Sequence, residues 1–301
     1  MTLATVPSPS WPAVLGRWEL DPAVVGGLVL TAVAYEMGWR ALVASRPGHP
    51  PSPGRRRAFL GGLAVLVVAL LSPVATYSHV LLSAHMVQHL LLTLVAAPLL
   101  VAGRPLLVLG ATLPADRRRR LLRAGRPFAF LGHPLVAWLL FAGVGWVVHF
   151  SPLFDLSLGN SMVHAAEHVL FLGSAALFWR PVLGVVSRWR LSHPLRLLYL
   201  AVAMPQNTFL ALAIYASSRP LYARYVEAGR SWGPSPLADQ RQGGGIMWVG
   251  GDLTLLVAVL AVAGAWAAHE ERVTRRREEL EDALVLSEEA AGRSPSPRTT
   301  G

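Results

Sequence analysis

Val80–Ala102 reads VLLSAHMVQHLLLTLVAAPLLVA, and this stretch decides the fold. A helix needs about 20 apolar residues to cross a hydrocarbon core about 30 Å thick, and here a run of that length has no ionisable residue except His85 and His89. Six further stretches qualify, at about 22–44, 58–78, 133–150, 161–183, 194–217 and 244–268. The expected fold is therefore all-α, an integral membrane bundle of seven transmembrane helices over residues 21–268. Composition agrees, since 53% of the 301 residues are hydrophobic, 15% are charged and the mean hydropathy is +0.45, well above a water-soluble domain. The segment 105–113, PLLVLGATL, is apolar but too short to span and reads as an interfacial or re-entrant piece.

Charge gives the orientation. All 27 basic residues are Arg, against 17 acidic residues, and in a soluble protein the resulting +10 would suggest nucleic acid. Here the Arg residues fill alternate short connections, which points to the bilayer as partner and excludes nucleic acid. Arg46 and Arg55–Arg57 follow the first span, Arg104, Arg117–Arg120, Arg123 and Arg126 the third, and Arg180, Arg188 and Arg190 the fifth. The second and fourth connections have none, so the odd-numbered loops are expected in the cytoplasm. The N-terminus and residues 1–20 then lie outside, and the C-terminus lies in the cytoplasm, where Arg272 and Arg275–Arg277 follow the last span. The sixth connection, outside, breaks the pattern with Arg219, Arg224, Arg230 and Arg241 but also holds Glu227 and Asp239. Residues 269–301 alternate acidic and basic groups and read as a cytoplasmic helical stalk ending in a disordered tail. Met1–Leu20 lacks the apolar core of a secretory signal.

Ionisable groups inside spans are costly and mark functional sites. His85–His89 and His164–His168 are each an i, i+4 pair, so within a pair the imidazoles lie about 40° apart in azimuth and about 6 Å apart along the axis, within reach of one ion. The two helices that carry them both enter from the outer side, which puts the pairs at one depth. His149 ends the fourth span at the same surface, His79 lies at the turn before the third, and Met247 lies one turn into the seventh. The chain has no cysteine, so soft-metal chemistry falls to His and Met. The candidate metal ligands are His85, His89, His164 and His168, followed by His149, Met86, Met247 and Asp239. Met86, Met162 and Met247, at the outer ends of their spans, favour cuprous copper. The alternative is a network that only hydrogen-bonds across helices.

Other readings stay open. His164-x-x-Glu167-His168 matches an inverted zincin pattern, but no partner carboxylate is evident apart from Asp252, and Glu167 is expected to orient a histidine from behind. Glu36 is expected to pair with Arg40 one turn on, or to serve a proton path. Around Asp239, the triplet Gly243–Gly245 serves either close packing at a helix start or a hinge over the histidines, with Asp239 as ligand or gate.

Three blocks, AHMVQHLLLTLVAAPLLVAGRPL (Ala84–Leu106), HAAEHVLFLGSAALFWRPVL (His164–Leu183) and SPLADQRQGGGIMW (Ser235–Trp248), resemble the signatures of the CtaG family of cytochrome c oxidase assembly factors. The resemblance marks His85, His89, His164, His168, Asp239 and Met247, and the chain departs from the usual pattern at Arg180 and Gly250. It implies a multi-pass protein of the bacterial plasma membrane that turns over no substrate. Such a protein would meet cytochrome c oxidase subunits and help mature a haem–copper oxidase, and the outer His and Met residues add the expectation that it handles copper at the extracytoplasmic side. Copper transport or sequestration and haem-based electron transfer are the alternatives.

Overall fold

The computed structural model describes residue 8 and residues 16–46, 48–185 and 189–292, with side chains of the last helix described to residue 284. Among these residues all regular structure is helical. Helix α1 (Pro22–Ala44) starts on Asp21, whose carboxylate accepts from Ala23 N and Val24 N while Pro22 takes the first position. Helix α2 (Pro53–Leu71) stops at Ser72, whose hydroxyl caps the short α3 (Pro73–Ser78). Pro73 has no N–H to give the Ala69 carbonyl, and Gln88 Nε2 donates to that oxygen instead at 2.8 Å.

Gln88 belongs to α4 (Leu82–Leu90), which runs through a π-helical turn, Leu91–Ala96, into α5 (Ala97–Ala102). The same device recurs here. Pro98 cannot donate to the Thr93 carbonyl five residues back, so Trp179 Nε1 does, at 2.9 Å. Two prolines thus leave carbonyls that side chains of neighbouring helices use to lock the bundle. At Arg104 the backbone is left-handed (φ 51°) and the chain turns into α6 (Pro105–Gly110). This short segment packs on α1, where a Cβ at Gly38 would stand 2.6 Å from the Val108 carbonyl.

Beyond α7 (Ala115–Ala124) a 3₁₀ segment, Arg126–Gly132, meets α8 (Pro134–His149) at a bend of 75°. Helices α9 (Leu153–Gly159), α10 (Ser161–Val182), α11 (His193–Tyr215), α12 (Ala223–Glu227) and α13 (Pro236–Gly292) complete the fold.

Among the described residues five helical runs are long and apolar enough to cross a membrane: α1, Leu82–Gly110, α10, α11 and the Pro236–Leu284 part of α13. Counting the bent pair around His133 as one span makes six, against the seven expected. The missing one is the expected span 58–78: Arg55–Arg57 occupy the start of α2, and Ser72 ends it before α3 extends the apolar run. The spans carry a belt of exposed Val, Leu and Phe, such as Leu30, Leu139, Val169, Phe209 and Leu260, all more than half exposed. Such a belt suits lipid, not water. The α4 run is the most enclosed span, with 44% of its apolar stretch buried against 11% in α1.

Three local expectations are corrected. Glu36 pairs with Arg56 of α2 at 2.6 Å, not with Arg40, because α1 and α2 pack side by side and bring the guanidinium across. The last helix begins at Pro236, eight residues before the expected 244. The triplet Gly243–Gly245 is therefore inside a helix and is no hinge. Gly243 lies against Leu82, Ser83 and Met86, and a Cβ at Gly244 would stand 2.9 Å from Tyr215 N, so these two glycines let α13 approach α4 and α11 closely. Helix α13 continues without a break through the charged stretch to Gly292, and the expected disordered end lies outside the described residues.

Candidate metal centre

The centre is built on α4 and α10, and each has its starting register fixed. Leu81 precedes α4 and offers no side-chain cap. Asp239 of α13 supplies one from across the bundle: it accepts from Leu82 N at 2.7 Å, from Ser83 N at 3.3 Å and from the Ser83 hydroxyl at 2.6 Å. Arg230 completes the latch, lying 3.5 Å from Asp239 and donating through Nε to the Val80 carbonyl. A carboxylate at a helix N-terminus meets both the free N–H groups and the positive end of the dipole. Asn160 caps α10 in the ordinary way, accepting from Met162 N and Val163 N.

With both starts pinned, the two histidine pairs meet. The rings of His85 and His164 stack with centroids 5.7 Å apart, and those of His89 and His168 lie at 6.3 Å. Within the pairs the separation is 4.2 Å for both His85–His89 and His164–His168. Glu167 sits between the helices, with Oε1 4.0 Å from His85 Nε2 and 3.8 Å from His89 Nε2. One ligand atom from each of His85, His164 and Glu167 falls within 4.8 Å of the other two. His149 closes the group from α8, 5.9 Å from His89, and Phe154 and Phe171 wall it with aromatic faces.

These groups are buried and unsatisfied. His85 is fully buried and Glu167 is 5% exposed, yet both nitrogens of His85 and His89 and both oxygens of Glu167 lack a hydrogen bond. So do Nε2 of His149, His164 and His168. The Ser157 hydroxyl beside Glu167 donates to the Phe154 carbonyl. His149 Nδ1 lies 2.7 Å from the Gly145 carbonyl. That contact makes Nδ1 the donor and leaves the Nε2 lone pair free, the usual preparation of a metal-ligating imidazole.

The remaining expected residues are distributed around this core. Met86 and Met247 line a cavity of about 50 Å³ with His89 and His149. Met162 is 80% exposed and stands outside the centre. Asp239 spends its oxygens on the α4 start and on Arg230, which removes it from the ligand set. Asp252 is engaged by Asn207 at 3.0 Å and Thr208 at 2.6 Å. His79 joins the cluster from the turn before α4, 5.2 Å from His164 and 4.0 Å from Glu19. Burial lowers the His79 pKa while Glu19 opposes the shift. The sequence reading placed Glu167 behind a histidine, whereas it lies among them; its i+3 spacing from His164 was the signal that put it on the same face.

The family model described as cytochrome c oxidase caa3 assembly factor matches residues 33–269. The chain belongs to that family. The matched region contains all six clustered histidines and Glu167, and leaves Glu19 and Asp21 outside. The uncharacterized proteins Mb0105 of Mycobacterium bovis and MT0111 of Mycobacterium tuberculosis are each 32% identical to it over 93% of this chain and 44% of their own. The uncharacterized protein ML1998 of Mycobacterium leprae is 28% identical over 90% of this chain and 43% of its own. The chain thus spans less than half the length of these relatives. No solved structure matches it.

Proposed function

We propose that this assembly factor takes part in maturing a haem–copper oxidase by holding copper, as cargo, among His85, His89, His164, His168 and Glu167, with His149, Met86 and Met247 within reach. The observation that supports the reading is the number of buried ring nitrogens and carboxylate oxygens left without a partner. Each such group costs about 1–3 kcal/mol, and native interiors rarely tolerate several together. A cation held among them would take one nitrogen from each of several imidazoles, with a Glu167 oxygen in reach, and so satisfy the lone pairs that face it. Neutral imidazole and thioether suit a soft cuprous ion, and the single carboxylate offsets its charge.

The same reading puts the cluster at the extracytoplasmic end. Arg55, Arg104 and Arg190 come near one another at the opposite end of the bundle, where the positive-inside rule places the cytoplasm. Seven crossings, with α2–α3 as the interrupted one, would leave the N-terminus outside and the C-terminus inside. The role asks for binding and release, with no turnover. A haem would take one histidine from each of two helices and leave the other member of each i, i+4 pair without a role, whereas one copper ion can use both.

Metal analysis of the full chain, purified without a His-tag, tests the reading. The expected result is about one copper per chain, lost in His89→Ala and His164→Ala although both variants still insert and accumulate, because Ala is a good helix former. Host cells carrying these variants are expected to keep the oxidase polypeptides and haem but to lose oxidase copper and activity. Normal accumulation with unchanged oxidase copper would reduce the histidines to packing residues.

A further inference from the structure

Five of the six clustered histidines are strung between two clefts, and His168 lines the first. The first, about 350 Å³, opens between the start of α1 and α10 and is lined by Glu19, Asp21, His79, His164 and His168. The second, about 650 Å³, opens between α8, α9 and α12 and is lined by His149, Asp155, Tyr222 and Glu227. Successive rings bridge the two: His79 to His164 at 5.2 Å, His164 to His85 at 5.7 Å, His85 to His89 at 4.2 Å and His89 to His149 at 5.9 Å. His164 and His149 stand where the chain meets the clefts, are 9% and 4% exposed, and each has an unpartnered Nε2. Arg224 lines both clefts and lies 4.0 Å from Glu227, so each mouth still sets two carboxylates against one shared guanidinium.

Resting on the reading above, we infer that this string is a relay with two mouths on the same face of the membrane, which takes a soft monovalent cation in at one mouth and yields it at the other. Steps of 4–6 Å between ring centroids let neighbouring imidazoles share an ion in turn, since metal–nitrogen bonds are about 2 Å long. Passage across the bilayer is not part of the path. Below the histidines the cavity is lined by Leu94, Phe141 and Leu255. Both mouths lie at the end where α4 and α10 begin and α8 finishes. A one-mouthed site would only store the ion, whereas two mouths let an acceptor draw it from one side while a donor occupies the other.

Blocking the mouths separately tests this. The chain has no native cysteine, and Ser161 and Leu156 are exposed residues lining the first and second cleft respectively. Ser161→Cys and Leu156→Cys, singly and together, would be labelled with a bulky maleimide on detergent-purified full chain already loaded with cuprous ion. Exchange of the bound ion into bicinchoninate is then followed by absorbance. Either label alone is expected to leave exchange running, and both together to abolish it, with unlabelled double variant exchanging like the parent. Loss of exchange from one label alone, equal to that from both, overturns the relay in favour of a single mouth. Undiminished exchange with both labels overturns it too. Copper content is measured before labelling, so a chain that holds no copper at all is seen as failure of the metal reading itself, and the relay falls with it.

Discussion

Asp239 illustrates how a single residue can be important to a site without touching its cargo. Its carboxylate is fully buried, holds the first turn of the helix that carries His85 and His89, and faces the buried guanidinium of Arg230. Removing one partner of a buried pair leaves the other charge uncompensated, at a cost of about 3–5 kcal/mol. Asp239→Ala is therefore expected to lower stability by about that amount and Asp239→Asn by less, since Asn still caps a helix. Thermal unfolding of the detergent-purified chain, followed by tryptophan fluorescence, measures both. Equal unfolding temperatures for parent and Asp239→Ala would refute the latch. At this scale the sequence showed that Asp239 lay near a helix start but left its role divided between a turn residue there and a ligand or gate, because the helix it caps is 157 residues away in the chain.

Between elements, the decisive contacts are those that small residues and prolines permit. Gly243 and Gly244 let α13 press on α4 and α11, while Gly245, next in line, has nothing within 4 Å of its would-be Cβ. This contrast gives a sharp pair of substitutions. Gly244→Ala must push α13 off the Tyr215 backbone, and overpacking of this kind costs about 1–3 kcal/mol. Gly245→Ala meets no neighbour and is expected to be neutral or to stabilise by up to about 1 kcal/mol through helix propensity. Unfolding of the two variants in the same detergent checks the order, and the reverse order would disprove the packing role. The glycines had been legible only as an ambiguous loop, since three in a row read as a break until a neighbouring helix is seen to need the space.

For the molecule as a whole, the charge asymmetry and the position of the histidines make one statement about sidedness. The proposed orientation, with the arginines in the cytoplasm, puts Asp155 outside and Arg117 inside. Asp155→Cys is expected to react with a membrane-impermeant maleimide on intact cells, and Arg117→Cys only after lysis. The opposite pattern would turn the bundle over and place the cluster on the cytoplasmic side. The test matters because the helices by themselves give five or six clear spans, and the parity of the count decides whether the two ends of the chain share a side.

Membrane class, helical architecture and the two histidine pairs follow from the sequence alone, because apolar length and i, i+4 spacing are local properties that any helix of these residues must display. Other features depended on distant parts of the chain. Glu167 lies between His85 and His89 only because Asp239 and Asn160 set the axial positions of two helices. Gln88 and Trp179 found their partners only because Pro73 and Pro98 freed carbonyls on other elements. The break at Ser72 within the expected second span, the exchange of Arg40 for Arg56 beside Glu36 and the early start of the last helix at Pro236 belong to the same class. Each was settled by packing between segments far apart in sequence, where burial and close approach outweigh the local preference that a pattern can record.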